Sequence, residues 1–232
     1  MSTALRLTFA PWGESLDEVV EVSRQAEAAG AEVVWAPEMH RSATVTAAAM
    51  AAGTSTIGVG TAIALAFTRS PMITALEAMD LDELSQGRFI LGLGTGVQRV
   101  NEDWYNAQWG KPVAHLRETV GIIRAFIDQC VTGEPMQVDG EFEHLRIKGY
   151  QRTYRRQRAA IPIYLAGVGP VMVRTAGEIA DGWISHELCS PHFVSEQVLP
   201  AITEGLQRAG RQRSDIELVV SALAAVDADA GK

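Results

Sequence analysis

Short apolar runs alternate along the chain with longer stretches in which apolar residues return every three or four positions. Residues 5–10 alternate apolar and polar and predict a first strand. Ser15 opens a helix with Glu18 at capping-box spacing; Val19, Val22, Ala26 and Ala29 form its apolar stripe, and Gly30 ends it. Residues 33–36 predict strand two, followed by a polar exit, Pro37-Glu38-Met39-His40-Arg41-Ser42, and an alanine-rich helix to Gly53. The apolar run 57–65 predicts strand three. A helix over 72–84, led in by Pro71 and closed by Gly87 as a left-handed cap, leads to strand four over 89–93, which stops in Gly94-Thr95-Gly96. After Asn101 come an irregular stretch with Trp104, Tyr105 and Trp109 and a long helix over 113–132, with Leu116, Val120, Ile123, Ile127 and Cys130 on one face. Asp139-Gly140 between β-like runs predicts a tight hairpin, and residues 148–158 form a basic loop. Strand five over 161–166 exits in Gly167-Val168-Gly169, and Pro170 starts a helix striped by Met172, Ala176 and Ile179. Strand six covers 181–185, helical segments 191–209, and strand seven 216–225.

Strand and helix thus alternate through seven units, which implies a parallel sheet. The repeats fit a TIM (β/α)8 barrel better than an open sheet, with the eighth βα unit missing after strand seven. The expected organisation is a single barrel domain over residues 1–232, C-terminally truncated, with an insertion over about 97–158 between strands four and five.

Composition narrows the partners. A net charge of −8 and a pI near 5.2 argue against nucleic acid, which calls for a basic face. Cys130 and Cys189 lie far apart with no Cys-x-x-Cys spacing, the pattern of two free thiols in a reducing cytoplasm. No charged-then-apolar leader precedes Leu5 and no apolar run reaches the ~20 residues of a membrane span. A soluble cytoplasmic protein without membrane partners is expected.

In a βα barrel, chemistry sits at the C-terminal ends of the strands. That rule selects the segments around Trp12, Glu38-Met39-His40, residues 61–69, residues 94–101, Gly167-Val168-Gly169 and Ser185-His186. Two glycine-rich exits suit a ligand carrying a phosphate or an anionic ring, because glycine lets backbone approach closely; Gly92 and Gly94 alone serve close helix–strand packing equally well. Glu38, His40 and His186 are the proton handlers of the set, although Glu38 in such a loop also serves to bind neighbouring backbone amides. The basic loop 148–158 reads as solvated rather than as an anion clamp. No His/Cys/Asp/Glu spacing predicts a catalytic metal, and no Gly-x-Ser-x-Gly elbow appears. Gly92-Leu-Gly94-Thr-Gly96 is not a dinucleotide fingerprint: the spacing is wrong, it lies in the fourth unit, and no acidic strand end follows.

Four ordered stretches carry a resemblance: Gly60-Thr-Ala-Ile-Ala-Leu-Ala-Phe-Thr-Arg-Ser-Pro71, Gly87-Arg-Phe-Ile-Leu-Gly-Leu-Gly-Thr-Gly96, Ile161-Pro-Ile-Tyr-Leu-Ala-Gly-Val-Gly-Pro170 and Ala176-Gly-Glu-Ile-Ala-Asp-Gly-Trp183. The chain resembles the bacterial luciferase-like oxidoreductases, and within them the branch using the deazaflavin coenzyme F420. The resemblance implies a luciferase-like TIM barrel, often a homodimer, that binds its cofactor at the strand ends. It places a non-prolyl cis peptide at Ala62-Ile63 behind the tricyclic ring. Thr95, Gly96 and Asn101 match the loop beside the ribityl chain, and Gly167, Val168 and Gly169 the amides that cradle the phosphate; Gly94, Ser185 and His186, selected by their strand-exit positions, complete the expected cofactor-binding set. Glu38 and His40 fall where relatives carry an acidic–histidine pair and become the catalytic candidates. Two departures weaken a sugar substrate: Val97 stands where sugar-phosphate-oxidising relatives have glutamate, and Met39 separates Glu38 from His40. The resemblance implies an F420-dependent oxidoreductase exchanging hydride with a small organic molecule. The alternatives are an FMN-dependent luciferase-like monooxygenase and a non-catalytic flavin-binding relic.

Overall fold

The structure, a computed structural model, describes residues 6–224, so the expected start of strand one at Leu5 and end of strand seven at Ala225 lie outside the described residues. The chain divides into two compact units, the first ending at Tyr164 and the second beginning at Leu165.

The first unit runs β1 (Thr8–Phe9), α1 (Leu16–Ala28), β2 (Val33–Ala36), α2 (Ala43–Gly53), β3 (Gly58–Thr61), β4 (Ala64–Leu65), α3 (Pro71–Leu84), β5 (Phe89–Gly94), α4 (Pro112–Gln129), β6 (Met136–Asp139) and β7 (His144–Ile147), and contains the start of β8 (Ile163–Ala166). The strands β1, β2, β3 and β5 pair in that order, all parallel. Val34, Val59, Phe89 and Leu93 are completely buried between this sheet and its helices. Helices α1, α2 and α3 start where a hydroxyl satisfies an orphan amide: Ser15, Ser42 and Ser70 accept the N–H groups of Glu18, Val45 and Ile73, whereas α4 follows Lys111 with no side-chain cap. The capping box at α1 closes differently from the sequence expectation, because Glu18 accepts the N–H of Glu14 (2.8 Å). Its stripe is also rotated: Val19 and Ser23 are the buried residues, and Ala29 is exposed. The Ser23 hydroxyl manages this by donating to the Val19 carbonyl. Gly30 and Gly87 end their helices at φ +83° and +84°, the left-handed geometry glycine adopts without strain.

Strand three divides where the sequence gives one apolar run. Gly60 lies opposite Ile90 and Ala64 opposite Leu93, so four steps on this strand match three on β5. One extra residue forms a bulge at 61–63. The buried Thr61 hydroxyl fills the gap, donating to the Gly92 carbonyl (2.7 Å) and accepting its N–H (2.9 Å). The stretch after Asn101, expected to be irregular, begins with a π-helical turn over Val100–Trp104. The Asp139-Gly140 hairpin forms between β6 and β7, with the Glu118 carboxylate accepting the N–H groups of Glu141, Phe142 and Glu143 across its loop.

The basic loop is largely exposed, as expected, Lys148 and Arg155 included, but three of its arginines are tied down. Arg152, its side chain only 5% exposed, pairs with Asp80 (2.7 Å), and Arg158 pairs with buried Asp82 and the Phe89 carbonyl. Arg156 caps the end of α4 through the Ile127 carbonyl (2.7 Å). The loop is a strap that supplies cations to acidic groups of α3, a task invisible in its own composition.

The second unit continues β8 and adds α5 (Pro170–Ile179), β9 (Gly182–Ile184), α6 (Pro191–Phe193), a π-helical turn over Val194–Val198, α7 (Leu199–Arg208) and β10 (Glu217–Val219). The strands β9 and β10 pair in parallel. Helices α5 and α7 approach at glycines: an added Cβ on Gly177 would lie 2.5 Å from the Ile202 carbonyl, and one on Gly205 2.1 Å from that of Arg174. The apolar face of α5 is correspondingly Val173 and Ala176 with Thr175 and Gly177, rather than the expected Met172 and Ile179.

Candidate functional site

The exit of β2 and the bulge after β3 are sewn together in the first unit. The Ala36 carbonyl accepts the N–H of Ala62 (2.9 Å), the Glu38 N–H donates to the Ile63 carbonyl (3.2 Å), and Glu38 Oε2 accepts the N–H of Leu65 (2.7 Å). The Ala62–Ile63 peptide between them is cis, the isomer the resemblance implies. Glu38, its side chain 4% exposed, is held further by Arg69: Nη1 donates to Oε2 (3.0 Å) and Nη2 to Oε1. Of the two roles the sequence leaves open, the structure shows Glu38 binding a neighbouring amide. Three donors on a buried carboxylate are the surroundings of a fixed anion. His40, two residues on, is exposed.

Arg69 also faces a second carboxylate, with Nε 3.5 Å from Glu77 Oε2 on α3. Its charged form is favoured chiefly by the hydrogen bond to Glu38, against the cost of burial. Burial raises the Glu77 carboxyl above its ordinary range; the Arg69 charge opposes that shift and Glu38 adds to it. Sequence reasoning quoted Arg69 within a motif but assigned it no role, and did not single out Glu77.

Gly94, Thr95 and Gly96 leave β5 beside this bulge. Gly96 has φ +63°, a conformation glycine adopts without strain, and a Cβ there would lie 2.7 Å from Leu65 Cδ2 and push that side chain aside. Asn101 is fully buried; its Nδ2 donates to the carbonyls of Thr95 (2.8 Å) and Val97 (3.0 Å), which fixes the loop's shape. Its Oδ1 is buried without a hydrogen-bond partner. An amide oxygen so placed suits a donor from a bound group, since leaving it unpaired costs about 1–3 kcal/mol.

The remaining expected residues belong to the second unit. Gly167 is crowded by Met172, and its carbonyl accepts the Trp183 indole N–H (3.0 Å). Val168 and Gly169 are exposed, and a Cβ on Gly169 would meet nothing within 4 Å. Gly169 precedes Pro170 at the start of α5, and no side chain caps the first amides at the positive end of that helix, an arrangement that suits an anion. Ser185 is buried, its Oγ accepting the N–H of Ser221 (2.7 Å). His186 is exposed, and its Nδ1 accepts the Leu188 N–H (3.1 Å), which leaves Nε2 as the protonated nitrogen of the neutral ring. Each group is therefore organised within its own unit. Within the first unit, the orphaned Asn101 oxygen and the turn at Gly96 fit the polar chain of a flavin-like group; within the second, the α5 start without a side-chain cap fits a phosphate.

A parallel βα fold with a bulged third strand and glycine-rich exits defines the class as a luciferase-like TIM barrel. The chain belongs to the luciferase-like monooxygenase family, whose model matches residues 3–231. It is similar to an uncharacterized protein of Mycobacterium bovis, with 37% identity over 76% of this chain and 52% of the relative. It is also similar to 5,10-methylenetetrahydromethanopterin reductase of Methanolobus tindarius, with 30% identity over 93% of this chain and 63% of the relative. The chain thus spans half to two thirds of the length of these relatives. Among solved structures, the coenzyme F420-dependent tetrahydromethanopterin reductase of Methanopyrus kandleri matches 94% of this chain and 65% of its own, at TM-score 0.81 and 25% identity. An FMN complex of the oxygenating constituent of 3,6-diketocamphane monooxygenase from Pseudomonas putida matches 92% of this chain and 65% of its own. Its TM-score is 0.75 and its identity 18%, a likeness of fold alone.

Proposed function

We propose that the chain carries the cofactor-binding part of an F420-dependent oxidoreductase that exchanges hydride with a small organic substrate. The observation that carries this reading is the likeness, over 94% of the chain, to a reductase named for F420 dependence. The bound deazaflavin supplies the carbon that gives or takes hydride, and the protein supplies position, dryness and proton traffic. In the first unit, Ala62 and Ile63 present an apolar shelf to the ring. Gly94, Thr95, Gly96 and Asn101 bind its polar chain, with Asn101 Oδ1 accepting from a hydroxyl. In the second unit, the amides of Gly167, Val168 and Gly169 at the start of α5 hold the phosphate, and Ser185 and His186 lie on the substrate side. Exposed His40 is the proton carrier and Glu38 the anion that keeps the shelf in place. The active species is a homodimer.

FMN is the competing cofactor, favoured by the family's monooxygenase members and the FMN-bound fold relative. Oxygen consumption separates the two. The F420 reading predicts no oxygen uptake above background with reduced FMN and a loss of oxidised-F420 absorbance in the presence of a reducing substrate. Protein-dependent oxygen uptake with reduced FMN would assign the chain to the monooxygenases.

A further inference from the structure

We infer that Arg69 is a positioning residue of the cofactor-facing segment 62–65, acting through Glu38, with Glu77 as its second anchor. The inference rests on the cofactor reading only for what faces the segment; the clamp itself stands on geometry. Segment 62–65 is attached to the β2 exit at three points, and the outermost is a side chain, Glu38 Oε2 on the Leu65 N–H. That carboxylate is nearly sealed from water, where an anion needs a counter-charge. Arg69 supplies it through two nitrogens of one planar fork, a geometry lysine does not reproduce. The fork is fixed in turn from both sides. Nη1 donates to Thr68 Oγ1 (3.3 Å), whose hydroxyl donates to the Leu65 carbonyl (3.1 Å), and Nε faces Glu77. Both the N–H and the carbonyl of Leu65 are thereby tied to one guanidinium through a single intermediary each. One cation facing two carboxylates leaves the cluster one negative charge in excess. Glu77, the more exposed carboxylate, is the one whose proton affinity burial raises. Tyr105 is the other titratable group that acts on Arg69.

Removing Arg69 alone strands the Glu38 charge, whereas removing both charges together leaves a neutral acceptor for the Leu65 amide. The test is amide exchange at Leu65, followed by NMR without cofactor in the wild type, Arg69→Gln and the double variant Glu38→Gln/Arg69→Gln. F420 affinity is measured on the same three proteins. Arg69→Gln should accelerate Leu65 exchange and weaken F420 by about tenfold each. The amides of Val59 and Leu91 should keep their protection, and the double variant should recover most of both losses. Arg69→Lys, which keeps the charge and loses the fork, should give a smaller acceleration and replaces Arg69→Gln if that variant fails to fold. Unchanged Leu65 exchange, acceleration spread evenly over the sheet, or faster exchange with wild-type F420 affinity overturns the inference. A wild type that binds no F420 overturns the cofactor reading instead, and the same comparison is then made with FMN.

Discussion

At the residue scale, single carboxylates do much of the work of shaping loops. Glu27 Oε1 accepts the N–H groups of Ser55, Thr56 and Ile57 and the Thr56 hydroxyl at the entry to β3. Those bonds, chiefly the Ile57 and Thr56 amides, lower its pKa from 4.5 to about 2. Because the folded value lies below the unfolded one, Glu27 contributes fully above about pH 4.5, and the contribution is lost as the pH falls toward 2. Thermal melts of Glu27→Gln should show a lower Tm than wild type at pH 7, with the gap closing toward pH 2; a gap independent of pH would assign the loss to packing. Glu38 likewise shapes a loop, accepting the Leu65 N–H, and its alternative as a binder of backbone amides was legible in the sequence. Arg69 was not, because a helix-capping segment intervenes between it and Glu77 and nothing in the local pattern pairs it with a residue 31 positions earlier.

At the element scale, the βα alternation made every strand legible in kind, and the errors fall where tertiary contacts override pattern. Strand three reads as one apolar run because a bulge leaves no mark on hydropathy; it became visible only through the unequal steps from Gly60 to Ala64 and from Ile90 to Leu93. The anchoring of the strap over 148–158 was missed because its acidic partners, Asp80 and Asp82, lie more than 70 positions away. Asp82→Ala should cost about 3 kcal/mol in urea unfolding, since it removes the buried half of an ion pair and leaves Arg158 beside the Phe89 carbonyl without its anion. Glycines separate cleanly by environment. Gly205→Ala, which forces backbone against backbone between α5 and α7, should destabilise by about 2–3 kcal/mol. Gly121→Ala in the middle of α4, where a Cβ meets nothing within 4 Å, should stabilise by about 0.5–1 kcal/mol. Equal effects at the two positions would mean that the α5–α7 approach is looser than described.

At the scale of the whole molecule, the family and fold agree with the reading of the sequence, and the cofactor is the claim that now needs measurement. Among the described residues no helix is long and apolar enough to cross a membrane. The glycine exits were legible because both their spacing and their position are visible in the chain; the orphaned oxygen of Asn101 was not, since Asn101 lies in a π-helical turn that no periodicity predicts. The most direct test is a titration of the purified chain with F420, read as quenching of deazaflavin fluorescence, with FMN as competitor. The account predicts saturable micromolar or tighter binding of F420, poor displacement by FMN, and about tenfold weaker binding by Asn101→Ala, which removes the unpaired acceptor. Preferential binding of FMN, or no binding of either, would contradict it.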